Sequence, residues 1–353
     1  MSGLLARLTT PGRAPDVLTC GLCAHRCALR TGQTGVCSAI ISQGGELRSL
    51  ADGRPVVLHA DPVERKPLYH VLPGTKLLSL GTMGCNMTCD FCQNWRISQA
   101  RPSAEDALVP PESIISAALA QGCTGIAFTY NEPSIYLGYA ADIMAMAKQA
   151  GLLTAFKTNG YLTPEAIDLL APPAGAHAGL PLLDAANVDL KGFDDGYYRR
   201  VCGARLQPVL DAIAHLHRCG VWVEVTTLLI PGVNDSDGEL RALAAWLAAV
   251  SRDIPWHLWR FHPDYRMAEV APTHPLDIER AIAIGRAAGL RYLYASNAPG
   301  DPGQHTCCPS CGATLIERAG NAATAVRAQG GRCESCGWAL PGIFTWPRRA
   351  ASG

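Results

Sequence analysis

At 353 residues, 48% apolar and 17% charged, the chain has the length of about two domains and the material for a large core. Lys+Arg and Asp+Glu balance at 30 each, so no net field recruits nucleic acid or an anionic membrane surface. Met1 to Thr10 lacks a long uncharged apolar stretch and no later run of about 18 residues is free of polar interruption, so the expectation is a cytoplasmic protein without secretory signal or membrane span, its 15 cysteines serving metals rather than disulfides.

The first cysteine group is Cys20-Gly-Leu-Cys23-Ala-His-Arg-Cys27, followed by Cys37 beyond Gly32 and Gly35. Thiolates this close repel one another and are stabilised together by a metal. The spacing suits a closed zinc site, with His25 as a less favoured substitute ligand, and equally a closed, electron-relaying iron–sulfur cluster. A saturated site implies a structural or relay role. Leu47 to His59 reads as two short strands turning at Asp52-Gly53. Asp61-Pro-Val-Glu-Arg-Lys-Pro-Leu-Tyr-His70 is polar and proline-rich without a clear period, which by itself reads as a surface connection. These segments make an expected N-terminal module and connection over residues 1–73.

After the apolar run Lys76 to Leu80 comes Gly84-Cys85-Asn86-Met87-Thr88-Cys89-Asp90-Phe91-Cys92-Gln93-Asn94-Trp95, with Cys85, Cys89 and Cys92 spaced C-x3-C-x2-C. A cubane iron–sulfur cluster normally takes four cysteines, so three on one short loop leave an iron open for chemistry, much as a catalytic zinc keeps an open position. The competing readings are a zinc shared with a distant ligand, or buried thiols that serve only as small apolar groups.

Strand-like runs then alternate with helical ones. Strands are expected at Gly125–Tyr130, Leu152–Lys157, Ala186–Leu190, Val221–Ile230, Trp256–Phe261 and Arg291–Ala295. Helices are expected at Pro111–Gln121, Ser134–Ala150, Pro164–Leu170, Leu206–Arg218, Asp235–Val250 and Leu276–Ala288. Continuous apolar strands with intervening helices predict an α/β fold, an incomplete (β/α)6-type TIM barrel over 74–300. Polar groups close each strand: Asn131 and Glu132, Thr158 and Asn159, Asp189 and Lys191, Asn234 and Asp235, His262, Ser296 and Asn297. In a barrel such strand ends face the active site.

The tail over 301–353 carries Cys308-Pro-Ser-Cys311-Gly and Cys333-Glu-Ser-Cys336-Gly. Two such knuckles make a closed tetrahedral site of zinc-ribbon or rubredoxin-like type, with zinc favoured over iron. Cys307 is left as a spare, and Cys123, Cys202 and Cys219 as core or incidental thiols.

The cluster loop, with Phe91 just before its third cysteine, resembles that of the radical S-adenosylmethionine (SAM) superfamily. Cys20-x2-Cys23-x3-Cys27, Asp61 to His70, Gly84 to Trp95, Thr129-Tyr-Asn-Glu-Pro133, Asn187-Val-Asp-Leu-Lys-Gly192, Arg260-Phe-His-Pro263 and Cys308-x2-Cys311 together resemble the radical SAM component of the AmmeMemoRadiSam system, a group similar to the activating enzymes of pyruvate formate-lyase. Ser296-Asn297 stands where a Gly-Asn pair is usual, Trp259 stands where Ser is usual, and Ala171 to Leu182 forms a Pro/Gly/Ala-rich extension.

The resemblance implies a radical SAM enzyme with a 4Fe–4S cluster on Cys85, Cys89 and Cys92. Its open iron would bind the amino and carboxylate groups of SAM, and cleavage of SAM would remove hydrogen from a protein or a small molecule. It places Phe91 beside the cofactors, Glu132 and Asn131 at the methionyl ammonium, Asn159 and Asp189 at the ribose and Ser296 near the adenosine. Lys191 would hold the carboxylate or polarise substrate, with a salt bridge to Asp189 as the alternative. His262 would serve substrate or proton traffic, or be a structural histidine. The implied partners are an external reductant such as flavodoxin or ferredoxin, and Memo-like and AMMECR-like proteins. The competing class is a non-enzymatic metal-binding or electron-transfer adaptor, which the two closed cysteine sites would suit.

Overall fold

The computed structural model describes residues 3–173, 181–298 and 300–347, so most of the extension from Ala171 to Leu182 lies outside the described residues. The main sheet has eight strands in sequential order. They are β1 (Val57–Pro62), β2 (Lys76–Gly81), β3 (Gly125–Phe128), β4 (Leu153–Thr158), β5 (Ala185–Asp189), β6 (Trp222–Leu229), β7 (Trp256–Arg260) and β8 (Leu293–Ala295). β1 runs antiparallel to β2, and every later neighbour is parallel. The architecture is the open α/β barrel the alternation implies.

Helices α1 (Pro111–Ala120), α2 (Leu137–Gln149), α3 (Pro164–Leu170), α4 (Leu206–Arg218), α5 (Asp237–Val250) and α6 (Pro275–Ala287) connect the strands. Their starts are written locally. Thr163 Oγ1 accepts from the Ala166 amide and Ser236 Oγ from the Glu239 amide, while Pro111, Pro164 and Pro275 open helices where no amide donor is needed. Strands β3 and β5 are buried on both faces because helices cover one and the barrel interior takes the other, as in any parallel sheet.

Two local expectations are corrected. No hairpin forms across Asp52-Gly53. Glu46–Ser49 pairs with Ile40–Gln43 around Gly44-Gly45, whose φ angles of 63° and 79° supply the left-handed turn, and the strand beyond Gly53 becomes edge strand β1. That strand, expected within the N-terminal module, is thereby part of the main sheet. The Asp61–His70 segment is not a surface connection either, since Asp61, Glu64, Lys66, Leu68, Tyr69 and His70 are all buried.

The segment's polar groups are satisfied from far along the chain. The Glu224 carboxylate, near the start of β6, accepts from the amides of Tyr69 and His70, each at 2.9 Å, from Trp222 Nε1 at 2.9 Å, and pairs with His257 Nε2 at 2.6 Å. A C-terminal antiparallel sheet, Thr306–Cys307, Thr314–Ala319 and Ala322–Val326, packs here. Its Arg318 donates to the Tyr69 carbonyl at 2.7 Å and lies 3.9 Å from the centre of the Tyr69 ring. The N-terminal ends of the strands are closed in this way, which leaves the opposite end for chemistry.

Candidate active site

The cluster loop leaves β2 through Gly84, whose φ is 90° and whose added Cβ would meet the Cys37 carbonyl at 2.7 Å, so only glycine fits. Asn131, just beyond β3, pins the loop's entrance: its Nδ2 donates to the Gly84 carbonyl at 2.8 Å and to Thr82 Oγ1 at 2.9 Å, and its Oδ1 accepts from the Thr82 amide at 3.1 Å. Beyond β4, Asn159 Nδ2 donates to Asn86 Oδ1 at 2.7 Å. The far side of the loop is held by the Thr88 amide on the Cys202 carbonyl and the Asp90 amide on the Val201 carbonyl, each at 3.0 Å.

Cys85, Cys89 and Cys92 thereby come to one wall of a cavity of about 310 Å³ at the C-terminal ends of the strands, and among the described residues no fourth cysteine lines it. Burial raises the Cys85 and Cys92 thiols above their ordinary range. Cys89 is lowered, first by the thiol of Cys202 and then, against its burial, by Lys191. The three sulfurs do not all lie within 4.8 Å of one another, whereas those of Cys308, Cys311, Cys333 and Cys336 do, with Cys308 to Cys336 at 3.6 Å and Cys311 to Cys333 at 3.7 Å. The tail thus offers a site for one tetrahedral ion. The cavity wall offers three separated thiols, which fit a polynuclear cluster better than a single zinc.

The other cavity walls are charged. Glu132, fully buried, accepts on its carboxylate from the Ser134 amide at 3.1 Å, the Asn159 amide at 2.9 Å and Thr158 Oγ1 at 2.9 Å; burial raises its pKa although these donors pull the other way. Asp189 is shared by two ammonium groups, Lys157 and Lys191, the latter at 3.1 Å. Burial opposes its charge, but the two lysines hold its carboxyl below the usual range. Burial pulls the Lys191 pKa down, but Asp189 together with Cys89, Cys202 and Tyr198 holds it well above its ordinary value, and the ammonium lies 5.5 Å from the centre of the Phe91 ring. At another edge Lys66 pairs with Asp61 at 2.8 Å, and Tyr130, in the left-handed region at φ 69°, donates to the same carboxylate at 2.8 Å.

Of the residues singled out in the sequence, the fold brings Cys85, Cys89, Cys92, Phe91, Asn131, Glu132, Asn159, Asp189 and Lys191 to this cavity. It does not bring the strand-end Asn234, Asp235 and Asn297, nor Ser296 and His262. Ser296 is buried, its hydroxyl on His257 Nδ1 and its carbonyl under the Tyr69 hydroxyl at 3.1 Å. His262 is exposed, its Nδ1 turned to the Pro263 carbonyl at 3.0 Å. Sequence reasoning passed over Arg65, Lys66, Lys157 and Trp259, which also line the cavity, and Cys202, which backs Cys89. The available signal was the place of Lys157 at a strand end beside Thr158 and Asn159; the charges of Asp61 to His70 suit a surface loop equally well.

The radical SAM superfamily profile matches residues 80–244. "Uncharacterized protein MJ0808" of Methanocaldococcus jannaschii is 37% identical over 305 residues, covering 85% of this chain and 87% of that one. The "Pyruvate formate-lyase-activating enzyme" of Clostridium pasteurianum is 26% identical over 164 residues, covering 46% of this chain and 65% of that enzyme. The "Isethionate sulfite-lyase activating enzyme" of Nitratidesulfovibrio vulgaris is 26% identical over 138 residues, covering 38% of this chain and 42% of that enzyme. Among solved structures, a radical SAM methyltransferase from Sphaerobacter thermophilus aligns at 19% identity with a TM-score of 0.48, covering 66% of this chain and 70% of that one, a likeness too loose to carry an argument.

Proposed function

The chain belongs to the radical SAM superfamily and is an enzyme similar to pyruvate formate-lyase-activating enzymes, and from that premise we propose that it cleaves SAM reductively on a site-differentiated 4Fe–4S cluster and takes hydrogen from a partner protein. The observation that carries this reading is the wall of three separated thiols in a cavity that no fourth cysteine lines among the described residues.

Cys85, Cys89 and Cys92 would hold three irons and leave the fourth to the amino and carboxylate groups of SAM. When bound, these cofactors supply one electron to the sulfonium, rupture of its bond to the 5′-carbon, and the hydrogen abstraction that follows. The protein's part is placement. Asn131 and Asn159 fix the loop that presents the thiols. Glu132 orients Asn159 through its amide and, with the Asn131 carbonyl, supplies acceptors for the methionyl ammonium. Asp189 serves the ribose hydroxyls, and Lys191, kept charged by Asp189, serves a carboxylate. The protein substrate is favoured by the activating-enzyme names of the relatives.

An external one-electron donor such as flavodoxin or ferredoxin completes the reaction, and Memo-like and AMMECR-like proteins are the proposed partners. The C-terminal tetrad is assigned zinc. No helix among the described residues is long and apolar enough to cross a membrane, and the cytoplasm is the proposed location.

The test is anaerobic reconstitution with iron and sulfide, then SAM and dithionite. Wild type yields 5′-deoxyadenosine and Cys89→Ala yields none. A fully loaded wild-type cluster that releases no 5′-deoxyadenosine would overturn the proposal.

A further inference from the structure

We propose that Asp168, His215 and Cys219 form a zinc site on the outer face of the barrel, a staple between the ends of α3 and α4 that is separate from the three cysteine groups. By sequence Cys219 is an incidental thiol. The fold places it beside a carboxylate and an imidazole, and one ligand atom from each of the three residues lies within 4.8 Å of the other two. His215 and Cys219 stand one helical turn apart at the end of α4 and so share a face, which Asp168 reaches from the last turn of α3. His215 Nε2 and Asp168 Oδ1 are 2.7 Å apart. The helices run back against the strands, so their C-terminal ends lie at the barrel end opposite the catalytic cavity, which none of the three residues lines.

The donor set selects the ion. A thiolate, an imidazole nitrogen and a carboxylate oxygen are the three ligand types of zinc, whereas calcium and magnesium take oxygen alone. Zinc bonds of about 2.0–2.2 Å at tetrahedral angles set nitrogen and oxygen about 3.4 Å apart, so the ion enters with a small shift of the Asp168 side chain, which is 44% exposed and has room to move. Three protein ligands leave the fourth position to water. The end of α4 adds the negative end of its helix dipole, which favours a cation. A nucleophilic cysteine–histidine reading fails on the same contacts. Both nitrogens of His215 are engaged, Nε2 with Asp168 and Nδ1 with Arg218 at 3.1 Å, so neither can take the Cys219 proton, and burial together with the Asp168 charge raises that thiol.

Arg218 decides how the ion binds. Its exposed guanidinium donates to Nδ1, which keeps the imidazole proton on Nε2. On binding, zinc takes Nε2, the ring proton moves to Nδ1, Arg218 swings into solvent and the Cys219 thiol proton is released. The consequence is mechanical. Helix α3 has only seven residues, a length marginal by itself, and Thr163 caps its start. The metal anchors its other end to α4, against which it already packs. The ion stabilises the folded barrel because it binds that state alone, and it takes no part in SAM cleavage.

The experiment uses the full chain, reconstituted with iron and sulfide and dialysed to equilibrium against micromolar free zinc. Zinc and iron are counted per chain, and thermal unfolding is followed with and without the ion. Wild type is expected to hold about one zinc more than His215→Ala and about one more than Cys219→Ala, at equal iron content. Should either variant lose iron through misfolding, Asp168→Ala, at a half-exposed side chain, gives the same difference. Zinc should raise the unfolding midpoint of wild type further than that of any variant lacking a ligand. Arg218→Ala removes the competing guanidinium and should bind the extra zinc severalfold more tightly. Equal zinc in wild type and a folded ligand variant would overturn the site. A midpoint shift no larger in wild type than in those variants would overturn the staple, and unchanged or weaker affinity in Arg218→Ala would overturn Nε2 as the ligand atom. Zinc on the C-terminal tetrad is common to every protein compared and cancels in the difference. None of these readouts depends on SAM cleavage, so failure of the functional reading stays distinguishable.

Discussion

Asn159 grips Asn86: the side-chain amide at the end of β4 donates at 2.7 Å to the residue next to Cys85, while its own backbone amide is held by Glu132 at 2.9 Å. A strand end, a buried carboxylate and the cluster loop are thereby one unit. These bonds tie the loop's conformation to the barrel, as a site held to sub-ångström tolerance requires.

Asn159→Ala removes the donor and leaves the buried Asn86 Oδ1 without it. The expected cost is about 1–3 kcal/mol in urea unfolding of the apo protein. The reconstituted variant should also lose iron to a chelator faster than wild type. Unchanged stability together with unchanged iron loss would separate Asn159 from the loop.

Two lysines share one carboxylate at Asp189, and both are largely buried, with Lys157 15% and Lys191 12% exposed. Asp189→Asn leaves two ammonium groups facing each other with their counter-charge gone. The expected loss is about 2–4 kcal/mol of stability. Adding Lys157→Met to that variant should recover part of it, since one uncompensated charge goes. A double variant no more stable than Asp189→Asn would show that the two charges are not coupled.

Where the chain's order shows in its own composition, the sequence sufficed. The runs around Ile126, Phe156 and Val188 are short, largely apolar and bounded by turn residues, and became strands β3, β4 and β5 nearly at the expected bounds, and the three-cysteine loop sits where β2 delivers it. What stayed hidden was decided by remote partners. Tyr69 and His70 are buried because Glu224, more than 150 residues later, satisfies their amides, and nothing in a polar, proline-rich decapeptide announces that. Ser296 and His262 sit at strand ends, but one side chain turns to His257 and the other back to Pro263, a choice of rotamer that strand position does not dictate.

The C-terminal tetrad should stabilise the barrel as well as its own knuckles, because Arg318 of that sheet spans the Tyr69 ring and carbonyl. Chelation is expected to release about one metal ion per chain and to lower the unfolding midpoint of the whole protein. Arg318→Ala, with metal retained, should cost about 2–4 kcal/mol, since it removes a cation over an aromatic face and strips a buried carbonyl of its donor. If metal removal left the barrel's unfolding midpoint unchanged, the module would be an appendage.

Asp52 gives the fold a pH dependence of definite sign. Its Oδ1 is buried without a hydrogen-bond partner, its Oδ2 lies against Gly138 at the start of α2, and burial pushes its carboxyl up to about 6. In the unfolded chain the same group titrates near 4. Between those values the folded state keeps a proton that the unfolded state has released. Stability therefore falls as pH rises through the window, and the loss is complete above about 6, amounting to roughly 2–3 kcal/mol. Asp52→Asn removes the titration without changing the shape. The variant's stability relative to wild type should be level below pH about 4, climb between about 4 and 6, and stay level above, when urea unfolding is followed across the range. His70, which burial lowers to about 4, contributes a slope of opposite sign, but it is present in both proteins and cancels in the difference. A flat difference across that window would place the Asp52 carboxylate in water, contrary to its packing against α2.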